Sequence, residues 1–303
     1  MAILLTGGGG FLGKALTPRL LQKGHKVYSL SRHPPEPAEN LTPLVGDITK
    51  PNLGLEEVPE DIRAVVHCAA LLSFRAKDRD RLYSTNYQGT INLLELMVRY
   101  KISRLFHVST AYLFKQNHYE ISKEMAEEAI RQYPQIRTTI LRPSIIIGDS
   151  KVEGLPPLSG FYLGVRAIDR AKRWFEARTG AWPFRLKIRI QGKRTGRLNL
   201  IPVDIIVSSI IDIINQDKTG VFYLTHPNPP TFKSLEKSIS EATGANIKVA
   251  SRFKPNPVER LASALMKGLK PYMTGTKLPS DIDCQPLTEE FLTRTIRAFL
   301  SAS

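Results

Sequence analysis

Cysteine is nearly missing from this chain, with Cys68 and Cys284 its only two. Thiols so far apart offer neither a disulfide framework nor the close ligand spacing of a metal site, and Cys68 lies in an apolar run where a small buried thiol is expected. No metal is expected. There is also no apolar run of about eighteen residues, so no segment is expected to span a membrane. The apolar start is cut at Thr6, too early for a signal peptide, which makes the cytoplasm the expected location. No internal repeat or low-complexity tract occurs. Acidic residues are scarce beside basic ones, 28 against 43, for a formal net charge of +15 and a pI near 9.8. That excess admits nucleic acid, anionic lipid or an acidic protein as partner. Nucleic-acid binding would need aromatic or base-reading residues organised with the charge, and the sequence has charge alone, so no nucleic acid is expected.

What the chain does have is 303 residues, 42% of them hydrophobic, enough for a sizeable core in one large or two modest domains. Its first stretch organises the rest. The apolar run Ala2-Ile3-Leu4-Leu5 meets Thr6 and four glycines, Gly7 to Gly10, and then resumes at helical spacing from Phe11 and Leu12 through Ala15, Leu16, Leu20 and Leu21. A buried strand, a glycine turn and a helix start form a phosphate site, because unpaired N–H groups and a partial positive charge face the turn. Gly7 would make the turn, Gly10 the close approach and Gly13 the packing of helix on strand. A glycine-rich turn with no ligand is the alternative.

Lys26 to Leu30 reads as a second strand, completing the first half of a dinucleotide-binding fold. An acid usually holds the ribose at the end of that strand, but here Ser31-Arg32-His33 precede Pro34-Pro35. A guanidinium suits a 2′-phosphate that an acid would repel, so NADP is the expected cofactor; a solvated loop charge is the alternative for Arg32. Leu44 to Ile48 reads as a short strand in which Asp47 could reach an adenine amino group. Ile62 to Ala70 reads as a central parallel strand, and small Ala69 and Ala70 leave room for a cofactor at its carboxyl end. His67, within that strand, is expected to be a satisfied strand residue. A helix over Tyr83–Tyr100 and a strand over Leu105–Thr110 continue the alternation.

The densest chemistry follows. The strand ends at Ser109-Thr110, and Tyr119-Glu120-Ile121-Ser122-Lys123 opens a helix. Tyrosine and lysine four apart share one helical face, where the ammonium is expected to lower the phenol pKa from about 10 toward working pH. Tyr119 would then donate a proton to a carbonyl oxygen as hydride reaches its carbon, with Thr110 hydrogen-bonded to the same oxygen.

At this point the chain resembles the extended short-chain dehydrogenase/reductase superfamily over roughly residues 1–226. Thr6 to Gly13 resembles its Thr-Gly-x-x-Gly-Phe-x-Gly nucleotide motif, with Phe11 and Leu12 inside it. Asp47-Ile48 resembles its adenine-side acid, Tyr119 and Lys123 its catalytic pair, Leu141-Arg142-Pro143-Ser144 its Arg-Pro motif, and Ile201-Pro202-Val203-Asp204 its Pro-Val-Asp element. The resemblance implies that Lys123 also holds the nicotinamide ribose and that Pro143 and Ser144 lie beside the nicotinamide. Within the superfamily, His107 to Tyr112, Asn117 to Lys123 and Arg142 to Ser150 look most like the fatty acyl-CoA reductase and thioester reductase branch.

Two departures stand out. Only eight residues separate Thr110 from Tyr119, which implies a more open substrate entrance. Ala111-Tyr112 follow the threonine where sugar dehydratases of the superfamily carry acids, so an elimination lacks its acid.

Beyond Ser150 the alternation stops. Pro156-Pro157 lead to a helix over Phe161–Phe175 and a basic strand over Phe184–Ile190. Residues 200–215 read as a buried helix and Val221–Leu224 as a strand, both returning to the nucleotide domain. The expected fold is α/β, a doubly wound parallel sheet of Rossmann type with a smaller, mainly C-terminal substrate-binding cap. Residues 1–150 plus about 200–226 would bind NADP, and about 151–199 plus 227–303 would form the cap. Residues 166–197 hold eleven basic side chains against Asp169 and Glu176. Arg185, Lys187 and Arg189 among them are candidates for docking a substrate carried on coenzyme A or an acyl carrier protein. The amphipathic stretch Val258–Lys267 reads as a cap helix, with peripheral membrane contact as the alternative. The expected activity is NADPH-dependent reduction of an acyl thioester or other hydrophobic carbonyl. A hydroxysteroid or sugar-nucleotide dehydrogenase or epimerase is one alternative, and a non-catalytic NADP-binding regulator or scaffold another. The sequence leaves the oligomeric state open.

Overall fold

The computed structural model of the chain describes residues 1–151, 160–181 and 186–302. Pro156, Pro157, Phe184 and Arg185 lie outside the described residues. In chain order the elements begin with β1 (Ala2–Thr6), α1 (Phe11–Gln22), β2 (Lys26–Ser31), β3 (Leu41–Val45), β4 (Ile62–His67) and α2 (Arg79–Leu82). A π-helical turn, Tyr83–Gln88, leads into α3 (Gly89–Arg99), followed by β5 (Arg104–Val108), α4 (His118–Arg131), β6 (Arg137–Pro143) and β7 (Ile145–Ile147). Then come α5 (Phe161–Thr179), β8 (Lys187–Gln191), β9 (Leu200–Pro202), α6 (Val203–Asn215), β10 (Gly220–Leu224), α7 (Phe232–Thr243), β11 (Asn246–Ala250), α8 (Pro257–Leu265) and α9 (Glu289–Ser301).

These elements divide into two compact units. The first holds Met1–Pro143 and Ile205–Leu224, the second Ser144–Asp204 and Thr225–Ser303. The second thus begins at Ser144, a few residues before the boundary read from the sequence.

In the first unit seven strands form one sheet in the order β10-β6-β5-β4-β1-β2-β3, every pair parallel. Central strands buried on both faces must be apolar throughout, which is why Ile3, Leu4, Leu5, Val65, Val66, Leu105 and Phe106 are inaccessible. The strand order reverses beside β1, and in open α/β sheets the crevice beyond the carboxyl ends at such a point is where ligands bind. β3 lies at the edge and starts three residues earlier than the sequence suggested, leaving Gly46, Asp47 and Ile48 beyond its end. An edge strand tolerates Pro43, which has no N–H to give to a ladder. The helix expected over Tyr83–Tyr100 is π-wound in its first six residues, and Leu200–Pro202 is a short strand before α6 rather than part of a helix.

In the second unit β8 pairs with β11 and β7 with β9, both parallel. Tyr162 anchors α5 to α9: its ring packs 4.9 Å from Phe299 and its hydroxyl is 2.6 Å from Thr295 Oγ1. Asn256 and Glu259 form a capping box that starts α8, whose apolar Val258 and Ala262 are buried in this unit. Much of the basic segment is already paired. Arg189 donates two hydrogen bonds to the buried carboxylate of Glu259, Arg194 two to that of Glu236, and Arg173 pairs with Asp169. Arg189 is therefore an internal tie, which corrects its reading as a docking side chain. Among the described residues no helix is long and apolar enough to cross a membrane, and no cluster of three His, Cys, Asp or Glu could hold a metal.

Candidate functional site

At the carboxyl ends of the strands in the first unit lies a cleft of about 650 Å³. It gathers Gly7, Gly10, Ser31, Arg32, Asp47, Ile48, Ala69 and Ala70, residues separated by up to sixty-three positions in the chain. The glycine turn is shaped by contact. Gly7 has φ +73°, and a Cβ there would come within 2.6 Å of the Ala69 nitrogen. A Cβ on Gly13 would stand 2.2 Å from the Gly7 carbonyl oxygen, so only glycine lets α1 pack on the turn. Gly10 caps α1 with no side-chain hydrogen bond, and the first turn, with Phe11 and Leu12, contains no acid. Its N–H groups therefore face the cleft end without a protein anion, which fits a pyrophosphate.

The ribose side fits a phosphate as well. The Ser31 hydroxyl is buried with no partner among the described residues, beside the exposed guanidinium of Arg32. Asp47 is held below the usual carboxylate range by the Thr49 backbone N–H at 2.9 Å, then by the Thr49 hydroxyl at 2.8 Å and the charges of Arg32 and Lys50. It is thus an anionic acceptor in the same cleft as the glycine turn's donors.

Thr110 follows β5, and Tyr119 and Lys123 occupy the first two turns of α4. Thr110 and Lys123 are buried and Tyr119 is half-buried, with the Thr110 side chain near enough to the phenol to lower its pKa. The Lys123 ammonium donates to the Val108 carbonyl at 2.6 Å. Burial lowers its pKa to about 8, against the pull of Glu127 and Cys68. Cys68 lines the cleft, whereas Thr110, Tyr119 and Lys123 are not among its lining residues. The phenol differs from expectation. Its pKa is pushed up to about 12 by burial and then by the Glu120 carboxylate, with the Thr110 hydrogen bond acting the other way. Lys123 is turned to the Val108 carbonyl and does not govern it. A phenol in that state is neutral at pH 7 and holds the proton a donor needs.

The buried ammonium has a stability consequence. Lowering its pKa from 10.5 to about 8 corresponds to roughly 3 kcal/mol at pH 7, and an unpaired Val108 carbonyl would take back about 1–2 kcal/mol. Lys123→Met is therefore expected to be about 1–2 kcal/mol more stable than the parent near pH 7. The folded state binds fewer protons than the unfolded state between pH 8 and 10.5, so the penalty is full below about pH 8 and fades as pH rises through that window. Calorimetric unfolding of both proteins at pH 7 and 10 checks this: the gap should shrink, and a less stable variant at both pH values would refute it.

Several supporting residues escaped the sequence reading. Asn86, in the π-helical turn, accepts from Leu71 N at 2.7 Å and donates to Leu71 O and Ser122 Oγ, both at 2.9 Å, tying the loop after β4 to α4. Glu120 is buried and accepts from the Phe114 and Gln116 N–H groups at 3.1 Å each, so it holds the short loop between Thr110 and Tyr119. Arg142 donates through two nitrogens to Glu127, the residue that supports the charge on Lys123. His67 is 2.6 Å from Thr6 Oγ1 and 3.3 Å from Thr90 Oγ1, a satisfied strand residue with its pKa lowered to about 3 by burial and then by Lys123. Pro143 ends β6, whereas Ser144 belongs to the second unit, where its hydroxyl is 2.6 Å from Asn199 Oδ1. Neither lines the cleft.

A parallel seven-stranded sheet with a glycine turn after β1, a threonine just past β5, and a tyrosine and lysine in the first two turns of α4 define a dinucleotide-dependent protein of the short-chain dehydrogenase/reductase kind. Residues 3–167, more than half of the chain, match the NAD dependent epimerase/dehydratase family, and the chain belongs to that extended group. It is 30% identical over 172 residues to a putative UDP-glucose 4-epimerase of Methanocaldococcus jannaschii, covering 48% of this chain and 56% of that protein. To the 2-alkyl-3-oxoalkanoate reductase of Stenotrophomonas maltophilia it is 29% identical over 183 residues, 52% of this chain and 55% of that one. The chain thus spans little more than half the length of these relatives. The terminal R domain of the myxalamid PKS-NRPS biosynthetic pathway matches 99% of this chain and 90% of its own, with a TM-score of 0.69 at 21% identity, a likeness of fold.

Proposed function

We propose that this protein is an NADPH-dependent reductase of a hydrophobic carbonyl compound, an acyl thioester or a related ketone or aldehyde, with Tyr119 as proton donor. The observation that carries the reading is the placement of Tyr119 and Lys123 in the first two turns of α4 with buried Thr110 near the phenol, in the unit that also holds the dinucleotide cleft. A bound nicotinamide supplies the hydride. The chain's own residues do the rest: the first turn of α1 takes the pyrophosphate, Asp47 the adenine, and Lys123 the nicotinamide ribose. Thr110 and Tyr119 orient the carbonyl oxygen, and the phenol gives it a proton. With its pKa pushed up to about 12, Tyr119 stays protonated at working pH and so carries the proton that reduction consumes. The family's sugar-nucleotide chemistry, represented by the putative epimerase, is the second reading. The 2-alkyl-3-oxoalkanoate reductase and the R domain support reduction instead. Carriage of the substrate on coenzyme A or an acyl carrier protein belongs to the proposal, with exposed Lys187 and Lys193 as the basic side chains that would attract it.

NADPH is the proposed cofactor because Arg32 and the unpartnered Ser31 hydroxyl suit a 2′-phosphate. A charge-assisted contact of about 1.5–3 kcal/mol means that Arg32→Ala should narrow a preference for NADPH over NADH by roughly ten- to a hundred-fold. Titration of both nucleotides into parent and variant tests this, and equal affinities in the parent would remove the assignment. Following NADPH oxidation against acyl-coenzyme A, aldehyde, ketosteroid and nucleotide-sugar panels tests the substrate class.

A further inference from the structure

Inside the second unit is a cavity of about 340 Å³ that contains none of the dinucleotide or proton-donor residues. Its walls come from α5, the paired strands β8 and β11, α7 and α8. Val165, Ile190, Leu235 and Ile247 form its buried faces, and Met266 and Leu269 line it from the turn after α8. A void of this size between apolar side chains deprives its lining of contact atoms, whereas well-packed interiors have few voids larger than a water molecule. An apolar void of about 150 Å³ stays dry and takes up a benzene ring, so this one has room for roughly a dozen carbon atoms.

The charged groups on the wall are answered by the protein itself, with Arg252 the exception among the described residues. The Glu259 carboxylate accepts from the Arg189 side chain, the Arg189 N–H and the Asn256 N–H. The Glu236 carboxylate accepts from Arg194 and from the Val249 N–H. Neither carboxylate is left to face a ligand. Arg252 also lines the cavity, is exposed, and makes no hydrogen bond or ion pair among the described residues. Among the described residues the cavity therefore combines a mostly apolar lining with one uncommitted, exposed guanidinium.

We propose that this cavity is a binding site for a straight-chain fatty carboxylate of about ten to twelve carbons, its chain among Val165, Ile190, Leu235 and Ile247 and its carboxylate on Arg252. Guanidinium and carboxylate match as a two-point hydrogen-bonded pair. The site stands apart from the hydride-transfer reading, and it holds whether or not that reading does.

Calorimetric titration of the full chain with the saturated carboxylates from hexanoate to hexadecanoate tests the site without any variant. Burial of each methylene should tighten binding about fourfold, up to about ten to twelve carbons and no further. Affinity independent of chain length would overturn the proposal. Ser263 lines the same cavity from α8, so Ser263→Phe should fill it and weaken dodecanoate at least about tenfold with NADPH affinity unchanged. Arg252→Ala should weaken dodecanoate by a similar factor while leaving 1-dodecanol untouched. Parent-like dodecanoate binding by a folded Ser263→Phe protein would place the chain elsewhere. Tighter binding of dodecanoyl-coenzyme A than of dodecanoate would overturn the free acid as the occupant.

Discussion

Tyr119→Phe is expected to lower carbonyl reduction by about 10²–10⁴-fold, the usual contribution of a positioned proton donor, while nucleotide affinity stays within about twofold of the parent. The variant keeps the ring that packs edge-on 6.4 Å from Phe74 and loses only the hydroxyl. Its fold should therefore survive, and the lost rate should appear in turnover rather than in binding. The pH dependence separates the two members of the pair. A phenol with a pKa near 12 keeps its proton throughout the working range, whereas Lys123, near 8, loses its charge on mild alkalinisation. Reduction by the parent should thus decline as pH rises through about 8, with nucleotide affinity weakening in the same interval. Activity that rises above pH 8 would mean that neutral lysine is the working form. Full activity of the Tyr119→Phe protein would move the chemistry elsewhere.

The glycine turn gives the second large effect, and it comes as a contrast. Gly13→Ala sets a methyl group 2.2 Å from the Gly7 carbonyl and 2.7 Å from Gly8 Cα, both backbone atoms that cannot step aside. Overpacking of this kind destabilises by about 1–3 kcal/mol or more, and nucleotide binding should fail with it. Gly10 is different. It sits at φ −80° and ψ 172°, open to any residue, and an added Cβ meets only the Gly7 oxygen at 3.1 Å. Gly10→Ala should keep its thermal midpoint near the parent's and still lose about tenfold or more in NADPH affinity, because the methyl would occupy the line of approach to the helix start. If Gly10→Ala binds the nucleotide like the parent, the pyrophosphate does not lie over that turn.

Sequence patterns revealed those features that depend on local spacing. The glycine turn, the strand–helix alternation and the four-residue step from Tyr119 to Lys123 all reflect chain periodicity, and the sheet and α4 follow them. Features set by distant contacts were hidden. Nothing local marks Asn86 as the tie between the loop after β4 and α4, since its partners Leu71 and Ser122 are fifteen and thirty-six residues away. Of the four successive glycines the nucleotide motif uses only Gly7 and Gly10, and it gives no reason for Gly8 and Gly9. A Cβ on Gly8 would meet Ser29 Oγ at 1.9 Å, and one on Gly9 the His33 carbonyl at 2.8 Å, so β2 and the turn after it fill the space. Charge was the least legible. Arg189 and Arg194 looked like a basic surface because their buried partners Glu259 and Glu236 lie seventy and forty-two residues further along the chain. The direction of the Tyr119 shift was also misread: sequence spacing places Lys123 on the same helical face, but burial and Glu120 dominate the phenol, and the ammonium is drawn to the Val108 carbonyl.

The account turns on hydride passing to a carbonyl carbon while Tyr119 supplies the proton. The most direct measurement incubates the protein with NADPH deuterated at the transferring position and a panel of acyl-coenzyme A, aldehyde and ketosteroid substrates, and reads the products by mass spectrometry. Deuterium should enter one of these products at the former carbonyl carbon in step with NADPH oxidation, and the Tyr119→Phe protein should form almost none of it. If the parent binds NADPH but leaves no deuterium in any of them, or if Tyr119→Phe transfers it at the parent's rate, the account is contradicted.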